Sequence, residues 1–143
     1  MIDKLAVNIL LNRPRLSVHR PTMHDLLERY KTYFKTINRS RRFTNDVPWW
    51  TASFDLCRLF VTRANEKQVV DTLYRKHADY GGRSLIICGP YGIAVRSIDK
   101  ICRIDNIEKM LDESPNFESV LDNYEDLFNY SILGYLITTG GVK

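Results

Sequence analysis

The 143-residue chain has few cysteines, no long apolar run and no signal-peptide pattern, and each absence excludes a class of protein. Its three cysteines, Cys57, Cys88 and Cys102, are an odd number at wide spacing, which argues against a disulfide framework and against a zinc site. No stretch approaches the roughly 20 apolar residues of a membrane-spanning helix. We therefore expect a cytoplasmic protein with reduced thiols and no membrane partner.

The motifs of several common catalytic classes are missing as well. The sequence contains no P-loop and no dinucleotide-binding glycine fingerprint. It also lacks the G-x-S-x-G elbow of hydrolases and the His-x-Glu and Pro-Cys-x-x-Cys pattern of deaminases. His19 and His24 have no metal-ligand spacing with each other or with a cysteine. Serine, cysteine and zinc chemistry is therefore not indicated.

Charge is distributed unevenly along the chain. Segment 13–42 carries nine Lys or Arg residues against Asp25 and Glu28, whereas segment 105–135 carries eight Asp or Glu residues. The net charge of +4 suits an anionic partner such as a nucleotide or nucleic acid, although many basic proteins bind neither. The two charged segments could pair within one fold or between subunits of a homo-oligomer, or they could form two solvated faces.

Helical periodicity dominates the rest of the chain. It predicts five helices, bounded by proline and glycine: 22–37, 49–64, 66–80, 90–111 and 117–138. Residues 2–12 are too short to classify, and residues 84–88 are expected to form a short apolar connector. We predict an all-α, single-domain bundle of four to five helices. Residues 1–65 would form basic N-terminal helices, and residues 66–138 would carry the functional site.

Acidic residues share one face of the last predicted helix. At about 100° per residue, Glu118, Asp122, Glu125 and Asn129 fall in one stripe, with Asp126 beside it. Carboxylates at this spacing repel each other. Water offsets the repulsion if the face is exposed, and Mg²⁺ offsets it if the face is partly buried, because Mg²⁺ prefers carboxylate oxygens. The stripe is therefore either a solvated face or a magnesium site.

A basic cluster lies on the preceding helix. Arg96, Asp99 and Arg103 follow one another at positions i, i+3 and i+7, with Lys100 adjacent. Such a cluster could bind phosphate, with Arg103 as a bidentate fork. The alternative is ion pairing within the helix, such as Asp99 with Arg96 or Arg103.

The end of the third predicted helix combines several polar groups. Lys76, Asp79 and Tyr80 come directly before the Gly81-Gly82 turn, which is expected to end the helix. A lysine, an acid and an aromatic ring beside a glycine turn can face a ligand together. His77 lies in the same stretch, but a lone histidine on a helix is more often structural than catalytic.

These three segments, in this order and spacing, resemble the nucleotide modification associated domain 1 family, which is widespread in phages and found in some bacteria. The resemblance covers about residues 70–137. Its motifs are Lys76-x-x-Asp79-Tyr80-Gly81, then Gly92-x-x-Val95-Arg96-x-x-Asp99-Lys100-x-x-Arg103, then Glu118-Ser119-x-x-Asp122-Asn123-x-x-Asp126-Leu127-x-Asn129-Tyr130.

The resemblance implies a phage-type nucleotide-binding protein. It would be a Mg²⁺-dependent nucleotide phosphohydrolase or an accessory factor in nucleotide or DNA-base modification. The helical layout is also similar to all-α nucleoside triphosphate pyrophosphohydrolases, which hold Mg²⁺ with carboxylates on two helices. This chain departs from that pattern because it has no Glu-x-x-Glu pair on an earlier helix, and Asp79 and Asp99 would have to substitute.

The implied site residues follow from the same resemblance. Three carboxylates would hold Mg²⁺ and serve catalysis: Glu118, Asp122 and Asp126. Substrate binding would involve residues of all three motifs: Lys76, Asp79, Tyr80, Arg96, Asp99, Lys100, Arg103 and Asn129. Of these, Lys76, Lys100 and Arg103 would hold the phosphates of a phosphorylated nucleotide, and Asn129 or Tyr80 would contact base or sugar.

A second hypothesis is a non-catalytic phage accessory protein that binds nucleic acid or a host protein. It would use the basic segment 13–42 and nearby aromatic residues. These aromatic residues are Tyr30, Tyr33, Phe34, Trp49 and Trp50.

The nucleotide-binding hypothesis requires that the acidic stripe on the last helix and the basic cluster on the preceding helix face one cavity. A turn at Ser114-Pro115 would make the last two helices antiparallel neighbours. Arg103 and Asp126 are about equally far from that turn, so at 1.5 Å per residue they should lie level. By the same count, Lys100 should lie level with Asn129.

Overall fold

In the computed structural model, residues 2–16, 23–40, 47–109 and 119–142 are described. Six α-helices occur in these ranges, and the only extended pairing among them is a single bridge between Ile2 and Val142. The helices are α1 (Lys4–Leu11), α2 (Met23–Ser40), α3 (Val47–Cys57), α4 (Arg63–Tyr80), α5 (Arg83–Glu108) and α6 (Val120–Thr139). The predicted all-α class is confirmed. The predicted number of four to five helices is too low, because the unclassified segment 2–12 forms α1.

The short helix α1 forms because both its start and its inner face are stabilised. The Asp3 carboxylate accepts hydrogen bonds from the backbone N–H groups of Leu5 and Ala6 at 3.0 and 3.4 Å, which satisfies donors that a helix start leaves free. Val7 and Leu10 are buried on the inner face. Capping and burial together stabilise a helix too short to be stable alone.

Helix α3 ends earlier than the predicted boundary at residue 64. Its last residue is Cys57, and α4 begins after Thr62, whose side chain accepts from the Asn65 N–H at 3.3 Å. Between them lies Arg58, only 6% exposed, which donates to the carbonyls of Leu11 and Arg13. The break between α3 and α4 coincides with the buried Arg58 guanidinium. The carbonyls that accept its hydrogen bonds are too distant in the sequence for helical periodicity to reveal them.

The segment predicted as a connector, 84–88, is helical instead. It belongs to α5, which is kinked at Gly89 (φ 61°, ψ −160°), a conformation that glycine adopts without a steric penalty. Pro90 follows and has no N–H, so it starts the second part of the helix without losing a hydrogen bond. The predicted helix start at Gly89-Pro90 thus corresponds to a kink between two helical parts.

Helix α6 lies at the centre of the bundle and packs against α5, α3, α4 and α1. The core on its α3 side is aromatic: the Phe54 and Phe128 ring centroids are 4.9 Å apart, and Tyr30 packs edge-on against Trp50 at 5.8 Å. Within the described ranges, no helix is long and apolar enough to cross a membrane. The aromatic core occupies the α3 side of α6, so the sides of α6 that face α4 and α5 are left for polar residues.

We expect Gly134→Ala to destabilise the protein. A Cβ at position 134 would lie 2.2 Å from Trp50 ring atoms, closer than van der Waals contact allows. Overpacking of this kind costs about 1–3 kcal/mol, against a gain of about 1 kcal/mol in helix propensity. Urea denaturation measures the free energy of unfolding.

The matched control is Trp50→Phe, measured alone and combined with Gly134→Ala. The smaller ring should make the glycine substitution less costly than it is beside tryptophan. If Gly134→Ala proves stabilising beside Trp50, the close packing of α3 on α6 described above is wrong.

Candidate functional site

A cavity of about 220 Å³ lies where α4, both parts of α5 and α6 meet. Five of the residues that the sequence nominated line this cavity: Lys76, Tyr80, Arg96, Asp126 and Asn129. The other lining residues are Leu73, His77, Gly81, Ser84, Leu85, Tyr130 and Leu133. The structure thus brings residues from all three sequence motifs to one place.

Helix periodicity explains which side chains converge. Residues three or four apart share a face of a helix, as Leu73, Lys76 and Tyr80 do on α4. The same spacing places Asp126, Asn129 and Leu133 on one face of α6, with Tyr130 beside them. The α4 face ends at Gly81, whose positive φ of 73° stops the helix. The chain therefore turns into α5 at the edge of the cavity.

The two parts of α5 contribute different groups. Ser84 and Leu85, before the kink, line the cavity together with Arg96, which comes after it. Sequence reasoning missed Ser84 and Leu85 because short apolar runs do not distinguish a helix from a connector. Tyr130 and Leu133 could have been found, since they lie four and seven residues after Asp126 on the same helix face.

An ion pair between α5 and α6 sets the charge of the cavity. The Lys100 ammonium lies 2.8 Å from the Asp126 carboxylate, and Lys100 is only 8% exposed. This pairing neutralises the acidic group that lines the cavity. Lys76 and Arg96 also line it, so its charged groups leave an excess of positive charge that favours an anion.

Tyr130 supplies a phenol beside these charges. Burial raises its pKa, and the Asp126 carboxylate raises it further, while Lys100 and Arg96 act in the opposite direction. The hydroxyl is therefore protonated at neutral pH and can donate a hydrogen bond. A protonated phenol beside Arg96 adds a neutral donor to the cationic groups of the cavity.

Asn129 presents an acceptor without a protein partner. Its Nδ2 donates to the Val69 carbonyl at 3.4 Å, which orients the amide. Its Oδ1 is buried and accepts no hydrogen bond from the protein. Because an unsatisfied buried acceptor costs about 1–3 kcal/mol, a ligand N–H or O–H placed here would remove that cost.

A second, more polar cavity of about 240 Å³ adjoins the first between α4 and α6. Both cavities are lined by Lys76, Asp126 and Asn129. The second cavity is further lined by Asn65, Gln68, Val69, Thr72 and Glu125. The three shared residues form a common wall.

The structure pairs Asp126 with Lys100, and Arg103 with a residue of its own helix. Arg103 pairs with Asp99 on its own helix at 3.1 Å, and both side chains are about half exposed. Lys100, one helical turn earlier, reaches Asp126 instead. The Ser114-Pro115 segment, from which the register was counted, lies outside the described residues. The Tyr124 hydroxyl donates to the Glu108 carboxylate at 3.0 Å, so the contacts between α5 and α6 fall within one helical turn on either side of the counted register.

Asp79 and Lys100 also fall outside the lining of the first cavity. Asp79 is exposed near the end of α4. Lys100 acts on the cavity through its ion pair with Asp126 and through its charge near Tyr130. Of the three lysines and arginines assigned to phosphates, Lys76 alone therefore lines the cavity, and Arg96 takes the place expected for Arg103.

The carboxylates assigned to Mg²⁺ are engaged in other contacts. The Asp122 carboxylate accepts from the Ser119 N–H at 3.2 Å, and the Ser119 hydroxyl accepts from the Asp122 N–H at 3.0 Å. This reciprocal capping box starts α6. Asp126 is paired with Lys100, and Glu118 lies outside the described residues.

Among the residues that the structure describes, no group of three or more His, Cys, Asp or Glu side chains is arranged to hold a metal ion. Burial raises the pKa of Glu125, and Asp122 and Asp126 raise it further. The described carboxylates form no cluster of three or more, and the magnesium site stays a prediction.

The aromatic residues of the second hypothesis are mostly part of the core. Tyr30, Tyr33 and Trp50 are at most 2% exposed, so they cannot stack on bases without local unfolding. Trp49 stacks on Tyr33, and Phe34 stacks on Tyr91. Tyr30, Tyr33 and Trp50 therefore do not form a nucleic-acid surface, and nucleic-acid binding by the rest of the segment stays a prediction.

Two of the basic residues in segment 13–42 are paired with acidic residues of α3 and α4, and a third, Lys31, is paired with Glu28 on its own helix. Arg13 lies 2.6 Å from Asp55, and Arg15 lies 2.7 Å from Glu66. Their acidic partners belong to α3 and α4 and not to the acidic segment 105–135. These contacts fix the chain after α1 and leave less positive charge available to an external partner.

Comparison of the chain with protein-family models, with curated proteins and with solved structures finds no match. The resemblance to the nucleotide modification associated domain 1 family therefore stays a prediction from the sequence. The candidate function rests on the geometry of the cavity.

We expect Asp126→Asn to destabilise the protein more than Asp99→Asn does. The first substitution leaves the buried Lys100 ammonium without its counter-charge, which should cost about 1–3 kcal/mol because the site is partly exposed. The second breaks an exposed pair with Arg103 and should cost at most about 0.5 kcal/mol. Urea denaturation of both variants measures the difference. Equal effects would show that the Lys100–Asp126 pair is not buried as described.

Proposed function

We propose that this protein binds a phosphorylated nucleotide in the cavity between α4, α5 and α6. One observation carries the proposal: Lys76 and Arg96 line the same cavity, and Lys100 neutralises Asp126, the one carboxylate among the described residues that line it. A partly open cleft with more positive than negative groups favours a phosphate over a neutral ligand.

The phosphate would be held by Lys76 and Arg96. A guanidinium matches two phosphate oxygens with parallel N–H donors, and an ammonium adds a compact charge with three donors. Both side chains are long and exposed at their helix faces, so they can adjust to a ligand. The Tyr130 hydroxyl, beside Arg96, is a further neutral donor.

The base would lie against the apolar part of the same cavity. Leu73, Leu85 and Leu133 line this part, and Tyr130 adds an aromatic ring. Pockets for small molecules combine such walls with a few polar groups that fix orientation. The unpaired Oδ1 of Asn129 would accept a donor of the ligand, consistent with the expected role of Asn129 in contacting base or sugar.

The proposal is a binding function and not metal-dependent hydrolysis. Asp126 is paired with Lys100, and Asp122 belongs to the capping box of α6. Of the two activities implied by the resemblance, an accessory factor in nucleotide or DNA-base modification needs only binding. The cavity therefore supports the accessory role better than the phosphohydrolase.

We expect Lys76→Ala and Arg96→Ala each to weaken nucleotide binding by about 10-fold to 100-fold, because each removes a charge-assisted hydrogen bond worth about 1.5–3 kcal/mol. A thermal-shift screen of nucleoside mono-, di- and triphosphates, with and without Mg²⁺, would identify the ligand. Isothermal titration calorimetry would then measure the affinities.

The matched controls are Arg75→Ala and Arg103→Ala. Arg75 neighbours Lys76 in sequence, Arg103 shares α5 with Arg96, and neither lines the cavity. Both controls should keep the wild-type affinity. If Arg103→Ala weakens binding and Arg96→Ala does not, the ligand lies outside this cavity. If no nucleotide shifts the melting temperature, the proposed function is wrong.

A further inference from the structure

The polar cavity between α4 and α6 has a chemical character of its own. Asn65, Gln68 and Thr72 line it from one face of α4, and Glu125 lines it from α6. Amide and hydroxyl side chains make up half of its lining residues and a third of those of the first cavity. Asn65, Gln68 and Thr72 were not part of the sequence motifs.

The charges around this polar cavity are balanced. Lys76, Glu125 and Asp126 line it, and Asp126 is paired with Lys100. Two cations therefore face two carboxylates. Such a balance does not favour a phosphate. The neighbouring cavity differs, because Asp126 is neutralised there by Lys100 and the charges of Lys76 and Arg96 are left in excess.

Uncharged hydroxyl groups fit this lining. The amides of Asn65 and Gln68 each offer donors and an acceptor, and the Glu125 carboxylate offers acceptors. The Thr72 hydroxyl donates to the Gln68 carbonyl at 3.0 Å, which leaves its oxygen able to accept. Each ligand hydroxyl both donates and accepts, so it can use both kinds of partner.

The polar cavity lies next to the cavity that Lys76 and Arg96 line, in which the phosphate is proposed to bind. The two are separated only by the wall of Lys76, Asp126 and Asn129. The unpaired Asn129 Oδ1 lies in this wall. A ligand with phosphate on one side of the wall and hydroxyls on the other would use both cavities and would supply the donor that Asn129 lacks.

We propose that the polar cavity binds the vicinal sugar hydroxyls of a ribonucleotide, so that the protein prefers ribonucleotides to 2′-deoxyribonucleotides. This inference rests on the proposed function, because the phosphate of the same ligand occupies the cavity of Lys76 and Arg96. In a 5′-nucleotide the 2′- and 3′-hydroxyls form one edge of the ring and can enter a polar cavity beside the phosphate and base.

The test compares the four ribonucleoside 5′-monophosphates with their 2′-deoxy counterparts by isothermal titration calorimetry. Loss of one hydroxyl that is hydrogen-bonded to the side chains of the polar cavity and to the buried Asn129 Oδ1 should weaken binding by about tenfold. Gln68→Leu and Thr72→Val should reduce this ratio, because they remove partners of the hydroxyl while keeping side-chain size. The control is Thr139→Val, since Thr139 makes the same kind of hydrogen bond to a helix carbonyl and lines neither cavity.

A second readout locates the sugar directly. In ¹H–¹⁵N spectra, the side-chain amide signals of Asn65 and Gln68 should move on addition of ribose 5-phosphate and stay in place on addition of inorganic phosphate. Inorganic phosphate should affect only residues of the neighbouring cavity.

The outcomes separate the two proposals. Equal affinities for ribo and deoxy ligands, with Arg96→Ala still harmful, would overturn the sugar assignment and leave the nucleotide site in place. A preference for deoxy ligands would overturn it as well. Absence of binding by every ligand would overturn both proposals.

Discussion

The ion pair between Lys100 and Asp126 is the contact on which the site depends. It joins α5 to α6 at 2.8 Å and buries an ammonium in the bundle, where an unpaired charge would be strongly unfavourable. The same contact removes the negative charge that Asp126 would otherwise bring to the cavity. One contact thus both joins the two helices and determines the charge that a ligand meets.

The helices around α6 divide the molecule into two sides with different roles. On the α3 side, Trp50, Phe54 and Phe128 fill a dry aromatic core, and a serine pair, Ser53 and Ser131, is hydrogen-bonded at 2.5 Å within it. On the α4 and α5 sides, polar groups line two adjoining cavities. A single central helix therefore provides a rigid core on one side and a binding face on the other.

The sequence predicted well the features that depend on neighbouring residues, such as helix ends. It predicted less well the features that depend on contacts between residues distant in the sequence. The end of α4 at Tyr80 and the break at Gly89 follow from glycine and proline chemistry. Helix periodicity placed Asp126 beside the stripe that contains Asn129, and both residues line the cavity. The pairing of Lys100 with Asp126 depends on the connection between α5 and α6, which no local pattern determines. The role of Ser119 and Asp122 was readable, because a serine followed three residues later by an acid is a capping signal.

The packing of α3 has a consequence for optical measurements. Both tryptophans of the chain, Trp49 and Trp50, lie on this helix, and Trp50 fills the space left by Gly134 on α6. The aromatic residues of the two cavities are tyrosines, so tryptophan emission reports the contact between α3 and α6 and not the occupancy of the cavities. Emission that changed on ligand addition would mean that α6 transmits a displacement from its binding face to its core face.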